Sequence, residues 1–177
     1  MAELKLIVLI GVLSIALITD LWRYKIYNWL IVLGLLAGLL LQVYVFAVYG
    51  LWFWFKGVTV AFLAFIPLYL ARGMAAGDVK LMMVVGGLLS FTVLIDALIS
   101  TYIAGGLVAL AYVLYRRQGA KLWQNIKNLL FGHFVKMSSG VEINDAVNEK
   151  NSVGKMPYAL AICMGTAYAL LKNGFNV

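Results

Sequence analysis

Six long apolar stretches, broken by a handful of charges, leave this chain few ways to fold. The first runs from Leu4 to Leu21. Others follow from about Trp29 to Tyr49, Leu51 to Ala71, Val79 to Ile95, Ala97 to Tyr115 and Met156 to Leu171. At 1.5 Å per residue the first reaches roughly 27 Å, close to the thickness of a bilayer's hydrocarbon core. Hydrophobic residues make up 64% of the 177, far more than a soluble core of that length can hide. The runs are continuous rather than alternating, which argues against a β-barrel. The expected architecture is all-α: a polytopic membrane protein of about six transmembrane helices plus an interfacial amphipathic helix. A single membrane-embedded domain over residues 1–177 is the natural count.

The breaks between runs carry local signals. Lys5 precedes a Leu/Ile-rich stretch as in a signal peptide, but no small-x-small cleavage pattern follows, so the run reads as a retained span. Trp22, Tyr24, Tyr27 and Trp29 form an aromatic belt, with Trp52 and Trp54 in a second. Asn28 is placed to N-cap the second helix, and Gly50 to mark the turn into the third. Pro67 removes a backbone donor inside the third run, so a kink is expected. Gly86-Gly87 and Gly105-Gly106 suit close helix packing. Asp96 reads as a helix cap in a short turn. Leu122, Ile126, Leu129, Leu130 and Phe134 recur near helical spacing among lysines, which predicts the interfacial helix. His133 there reads as an ordinary interfacial histidine, since no ligand partners flank it. Glu142 to Lys155 reads as a polar loop, and Pro157 takes a first-turn position in the last helix. Cys163 has no disulfide partner or metal-ligand spacing and reads as a small core residue.

Charge orients the spans. All 14 Lys and Arg residues except Lys5, Lys56 and Lys172 fall in one set of loops. By the positive-inside rule that set is cytoplasmic and both termini lie outside. The net charge of +7 then reflects topology and attraction to anionic lipid, and needs no nucleic-acid partner.

Two acidic residues stand at span boundaries on that same side. Asp20 ends the first run and Asp78 opens the fourth. Ionisable groups at membrane depth are costly and mark function by default. If the two helices are neighbours, the carboxyls can pair, which the sequence leaves open. Paired carboxyls cannot both ionise cheaply, so they share a proton. One can then activate a water while the other polarises a peptide carbonyl. Gly77 suits close backbone approach beside Asp78, and Arg72 and Lys80 are near enough to tune its acidity.

The segment Ala75-Ala76-Gly77-Asp78-Val79-Lys80-Leu81 resembles the Gly-x-Gly-Asp motif of type IV prepilin peptidases with its Val-Lys-Leu continuation. Asp20, followed by Arg23, Ile26 and Asn28, resembles that family's first catalytic aspartate and its basic-Ile-x-Asn pattern. Lys155-Met156-Pro157-Tyr158-Ala159-Leu160-Ala161 is similar to its late Pro-Tyr-Ala segment. The three occur in family order from Asp20 to Ala161. The resemblance implies a membrane aspartyl endopeptidase with Asp20 and Asp78 as its catalytic dyad. It would remove the short basic leader of prepilin or prepilin-like precursors at the cytoplasmic face of the inner membrane.

Ala75 stands in place of the motif's first glycine, and Tyr27 where many members have proline. The chain lacks the paired Cys-x-x-Cys motifs of the long bifunctional members. It resembles the short members linked to Flp-type or tight-adherence pili, so neither methyltransferase activity, nor zinc, nor another cofactor is expected. Two other readings fit the bare positions: aspartates acting as helix caps, and a small proton-coupled transporter or channel subunit using Asp20 and Asp78 as relay carboxylates. A transporter needs polar groups near mid-membrane and often internal repeats. Here the span interiors are almost purely apolar and no clear repeat is visible.

Overall fold

In lipid, backbone polar groups find no water, so each apolar run must satisfy its own hydrogen bonds, and a helix does so within one segment. The computed structural model describes residues 2–70, 73–115 and 158–175, and among these it contains six α-helices. They are α1 (Ala2–Arg23), α2 (Asn28–Phe46), α3 (Val48–Leu70), α4 (Ala76–Leu88), α5 (Phe91–Tyr115) and α6 (Ala159–Lys172). The protein is all-α and multi-pass, as expected. Four of the described helices, α1, α2, α3 and α5, are long and apolar enough to cross a membrane. With 13 and 14 residues, α4 and α6 reach only about 20 Å. The chain forms two compact units, one of residues 1–106 and 157–177, the other of residues 107–156. In the second unit the described part is the helical end of α5. The expected interfacial helix, His133, the 142–155 loop, Pro157 and Arg72 lie outside the described residues.

Within the first unit, α4 is the central element. It packs against α1, α2, α3 and α6, and Leu81, Met82, Val85 and Leu88 are fully enclosed. Helices in lipid gain little from apolar burial alone, so close backbone contact must hold them together. Gly57 of α3 and Gly86 of α4 supply it. A Cβ on Gly57 would come within 2.0 Å of the Gly86 carbonyl oxygen. Gly87 is likewise pressed against the Trp54 indole. The expectation for Gly86-Gly87 therefore holds. Gly105 receives the Tyr158 ring, whereas among the described residues no neighbour stands where a Gly106 side chain would be.

Helix α1 is apolar all round, but its two faces differ. Leu9, Val12, Leu13 and Ala16 are buried, while Ile7, Ile10, Ile15 and Ile18 are exposed. The exposed isoleucines form the face such a helix turns to lipid. Lys5 and Asp20 sit at opposite ends of the buried stripe. They are separated along the axis by about 22 Å at 1.5 Å per residue.

Several boundaries differ from expectation. The turn between α2 and α3 is made by Ala47 (φ 51°) rather than Gly50. Gly50 lies inside α3, where a side chain would strike the Gln42 carbonyl. Its small size thus serves packing. The fourth and fifth runs divide at Leu89-Ser90, not at Asp96. Asp96 is inside α5, where it pairs with Lys172 (2.8 Å) and accepts from Asn173 Nδ2 (2.8 Å), both at the end of α6. A carboxylate with those partners has no need of a helix cap. Asn28 also fails to cap α2: the cap position is Tyr27, with no side-chain bond, and Asn28 Oδ1 accepts from Lys80 Nζ instead (3.1 Å). Pro67 lies within α3, which continues through it to Leu70. The Tyr102 hydroxyl donates to the Ala64 carbonyl just upstream of Pro67.

Candidate active site

Asp20 occupies the last turn of α1, which ends where Tyr24 turns left-handed (φ 51°) and donates to the Asp20 carbonyl. Its side chain is only 6% exposed. Oδ2 accepts from the backbone N–H of Ala159 at 3.1 Å, a contact between residues 139 apart. Ala159 is the first residue of α6, and the first N–H groups of a helix have no partner inside it. Asp20 therefore serves as an N-terminal acceptor for a helix at the other end of the chain, where the positive end of the helix dipole favours a carboxylate.

Asp78 is the third residue of α4 and is 4% exposed. Its Oδ2 accepts from the Ala75 N–H at 3.0 Å, while its own N–H donates to the Ala75 carbonyl at 3.1 Å. These reciprocal bonds fix the carboxyl at the mouth of α4. Helices α1, α4 and α6 pack on one another. The sequence placed both carboxyls at one end, and the fold adds the adjacency of their helices.

Tyr158 and Cys163 complete the surroundings. Tyr158 is buried, and its ring lies on Gly105. Cys163 follows in α6, and its thiol points to the Leu13 carbonyl (3.6 Å).

Contacts among the three sequence motifs hold this end together. Gly77 lies against Ile26, and a Cβ there would come within 3.3 Å of the Ile26 Cβ. Lys80 bonds Asn28. The α4 motif thus grips the loop that follows Asp20 at two points, and Ala159 of the third motif bonds Asp20 directly. Tyr27, at the position where proline was the expected residue, accepts from Arg23 Nη1 through its hydroxyl (3.2 Å). The Ala159 N–H and the Lys80–Asn28 contact were missed in the sequence. A backbone donor leaves no residue-type signal, and Lys80 and Asn28 are 52 residues apart.

Asp20 and Asp78 are thus two buried carboxyls, each accepting from a backbone N–H, and carboxyls brought together in such surroundings share a proton. No group of three or more His, Cys, Asp or Glu that could hold a metal occurs among the described residues. Neither the curated proteins nor the solved structures contain a match to the chain. Residues 7–110, a majority of the sequence, match the Type IV leader peptidase family. That stretch includes both aspartates, the Ile26–Asn28 loop and all of α4, so this chain belongs to the Type IV leader peptidase family.

Proposed function

We propose that the protein is a membrane aspartyl endopeptidase in which Asp20 and Asp78 are the catalytic pair. Its substrates are prepilin or prepilin-like precursors, from which it removes the leader at the cytoplasmic face of the inner membrane. Family membership supports a leader-peptidase function of this kind. The observation that carries the residue assignment is the burial of two carboxyls on helices that pack on each other, Asp20 in the last turn of α1 and Asp78 in the first turn of α4. One carboxyl, ionised, draws a proton from water as the water attacks the scissile carbonyl carbon. The other, protonated, donates to the carbonyl oxygen. The backbone donors Ala75 and Ala159 keep both side chains in fixed rotamers, so little reorganisation is needed. A relay carboxylate of a transporter belongs along a path across the membrane. Both of these carboxyls sit at one end of the helices, which favours chemistry there.

The test is a processing assay with the full chain in lipid vesicles and a precursor bearing a short basic leader ahead of an apolar helix. Wild type is expected to release the leader at its junction, and Asp20→Asn and Asp78→Asn to lose that activity by roughly 10³-fold or more while remaining folded. Cleavage retained by either variant overturns the residue assignment. Proton flux that depends on both aspartates, with no cleavage by wild type, favours the transporter reading.

A further inference from the structure

The end of the first unit remote from Asp20 and Asp78 holds a second concentration of charge. A cavity of about 230 Å³ is lined there by Lys5 from the start of α1, Gln42 from the end of α2, Lys56 from α3 and Ser90 from the α4–α5 break. At about 30 Å³ per water, it offers roughly seven waters' worth of space, enough to admit a tetrahedral anion. Lys5 is 4% exposed and Gln42 3%. The Lys5 ammonium donates to Gln42 Oε1 at 3.0 Å, and the Gln42 amide in turn points to the Gly87 carbonyl. Each ammonium group also faces an aromatic ring. Lys5 Nζ lies 5.4 Å from the centre of the Phe46 ring, and Lys56 Nζ lies 4.2 Å from that of Phe91.

Among the described residues no carboxylate lines this cavity. Asp96, further along α5, is taken by Lys172 and Asn173 at the end of α6. Of the three cations on the cation-poor side of the sequence, Lys172 is therefore neutralised by the fold, while Lys5 and Lys56 face one cavity. Holding two ammonium groups at the edge of an apolar helix cluster is costly without a counter-charge. Cation–π contact and one amide oxygen offset only part of that cost. Phe46 and Phe91 are also about half exposed, on the side where the helices present apolar surface. An occupant that satisfies both features carries a negative charge at one end and hydrocarbon at the other.

We propose that this cavity binds the phosphate of an anionic phospholipid from the leaflet opposite the aspartates, with Lys5 and Lys56 on its oxygens. Gln42 orients Lys5, and Phe46 and Phe91 flank the glycerol and the first acyl carbons. The shared chemistry is that of a phosphate, and the aromatic walls open to lipid favour the phospholipid over the free ion.

The test uses the full chain in phosphatidylcholine nanodiscs with a rising fraction of phosphatidylglycerol. Retained lipid is counted by native mass spectrometry and the unfolding temperature is recorded. Wild type is expected to retain phosphatidylglycerol about tenfold over phosphatidylcholine, a preference of about 1.4 kcal/mol, and to unfold at higher temperature as its fraction rises. Lys56→Gln, at an exposed position and so compatible with folding, should lose both effects, and Lys56→Arg should keep them. Equal retention by wild type and Lys56→Gln overturns the site. Inorganic phosphate added to detergent-solubilised protein should stabilise it less than phosphatidylglycerol does. Equal stabilisation through Lys56 overturns the lipid as the source. Lys5→Gln should behave as Lys56→Gln; if it fails to fold, the Lys56 pair alone decides.

Discussion

Ala75 adopts φ −85° and ψ 156°, ordinary extended backbone that an alanine takes without strain. The glycine of the family motif is therefore not required at this position for its dihedral freedom. Ala75→Gly should leave leader release within about twofold of wild type and stability within about 1 kcal/mol, as read from cleavage rate and denaturation midpoint. Gly77 is different, because Ile26 occupies the space a side chain would need. Gly77→Ala should displace the loop after Asp20 by a few tenths of an ångström and slow cleavage measurably more than Ala75→Gly does. Cys163 has a carbonyl neighbour that a serine hydroxyl can equally use, so Cys163→Ser should cleave at the wild-type rate. At this scale the sequence singled out the two aspartates as candidates, and Gly77 is crowded as a small residue would be, though by the Ile26 side chain rather than by backbone. The sequence misassigned Asn28 and Asp96, because each takes a partner dozens of residues away that outcompetes the local cap. Gln42 went unnoticed, since one polar residue in an apolar run gives no hint that it meets Lys5.

Helix α4 shows what the sequence can and cannot convey about elements. Its apolar character and its glycine pair were legible, and both are used as expected. Its length was not, because Leu89 and Ser90 interrupt the helix without any proline or glycine. The α3–α4 contact is the tightest backbone approach holding this helix, with Gly57 on the Gly86 carbonyl. Gly57→Leu should cost about 3 kcal/mol or more, read as a lost folded fraction in mild detergent, since backbone cannot yield as a side chain can. The Lys80–Asn28 contact is exposed and should be worth less than about 1 kcal/mol. Lys80→Met should therefore leave the fold intact. If the contact sets the position of the loop beside Asp20, cleavage should fall further than stability does.

For the molecule as a whole, the start of α4 meets the loop that follows α1, where Gly77 lies against Ile26 and Lys80 bonds Asn28. The lysine and arginine bias predicts a cytoplasmic position for that end. In a Cys163→Ser background, Tyr24→Cys and Tyr49→Cys place single thiols at exposed positions of opposite ends. A membrane-impermeant maleimide added to intact cells should label the cysteine at 49 and spare the one at 24. The reverse pattern inverts the orientation. The expectation that the two carboxyls share a level was legible from counting crossings. That α1, α4 and α6 touch was not, because helix adjacency in lipid depends on which small residues meet. The Ala159–Asp20 bond, spanning 139 residues, has no local signature at all.

The most direct test of two aspartates acting as one site is whether their losses multiply. Leader release by wild type, Asp20→Asn, Asp78→Asn and the double variant, all in the same vesicles, can be followed by mass spectrometry. Residues that work as a unit are strongly non-additive. The double variant should be no slower than the slower single variant, with both singles depressed by roughly 10³-fold or more. Single losses that multiply in the double variant, or a single variant within tenfold of wild type, would contradict a shared catalytic pair.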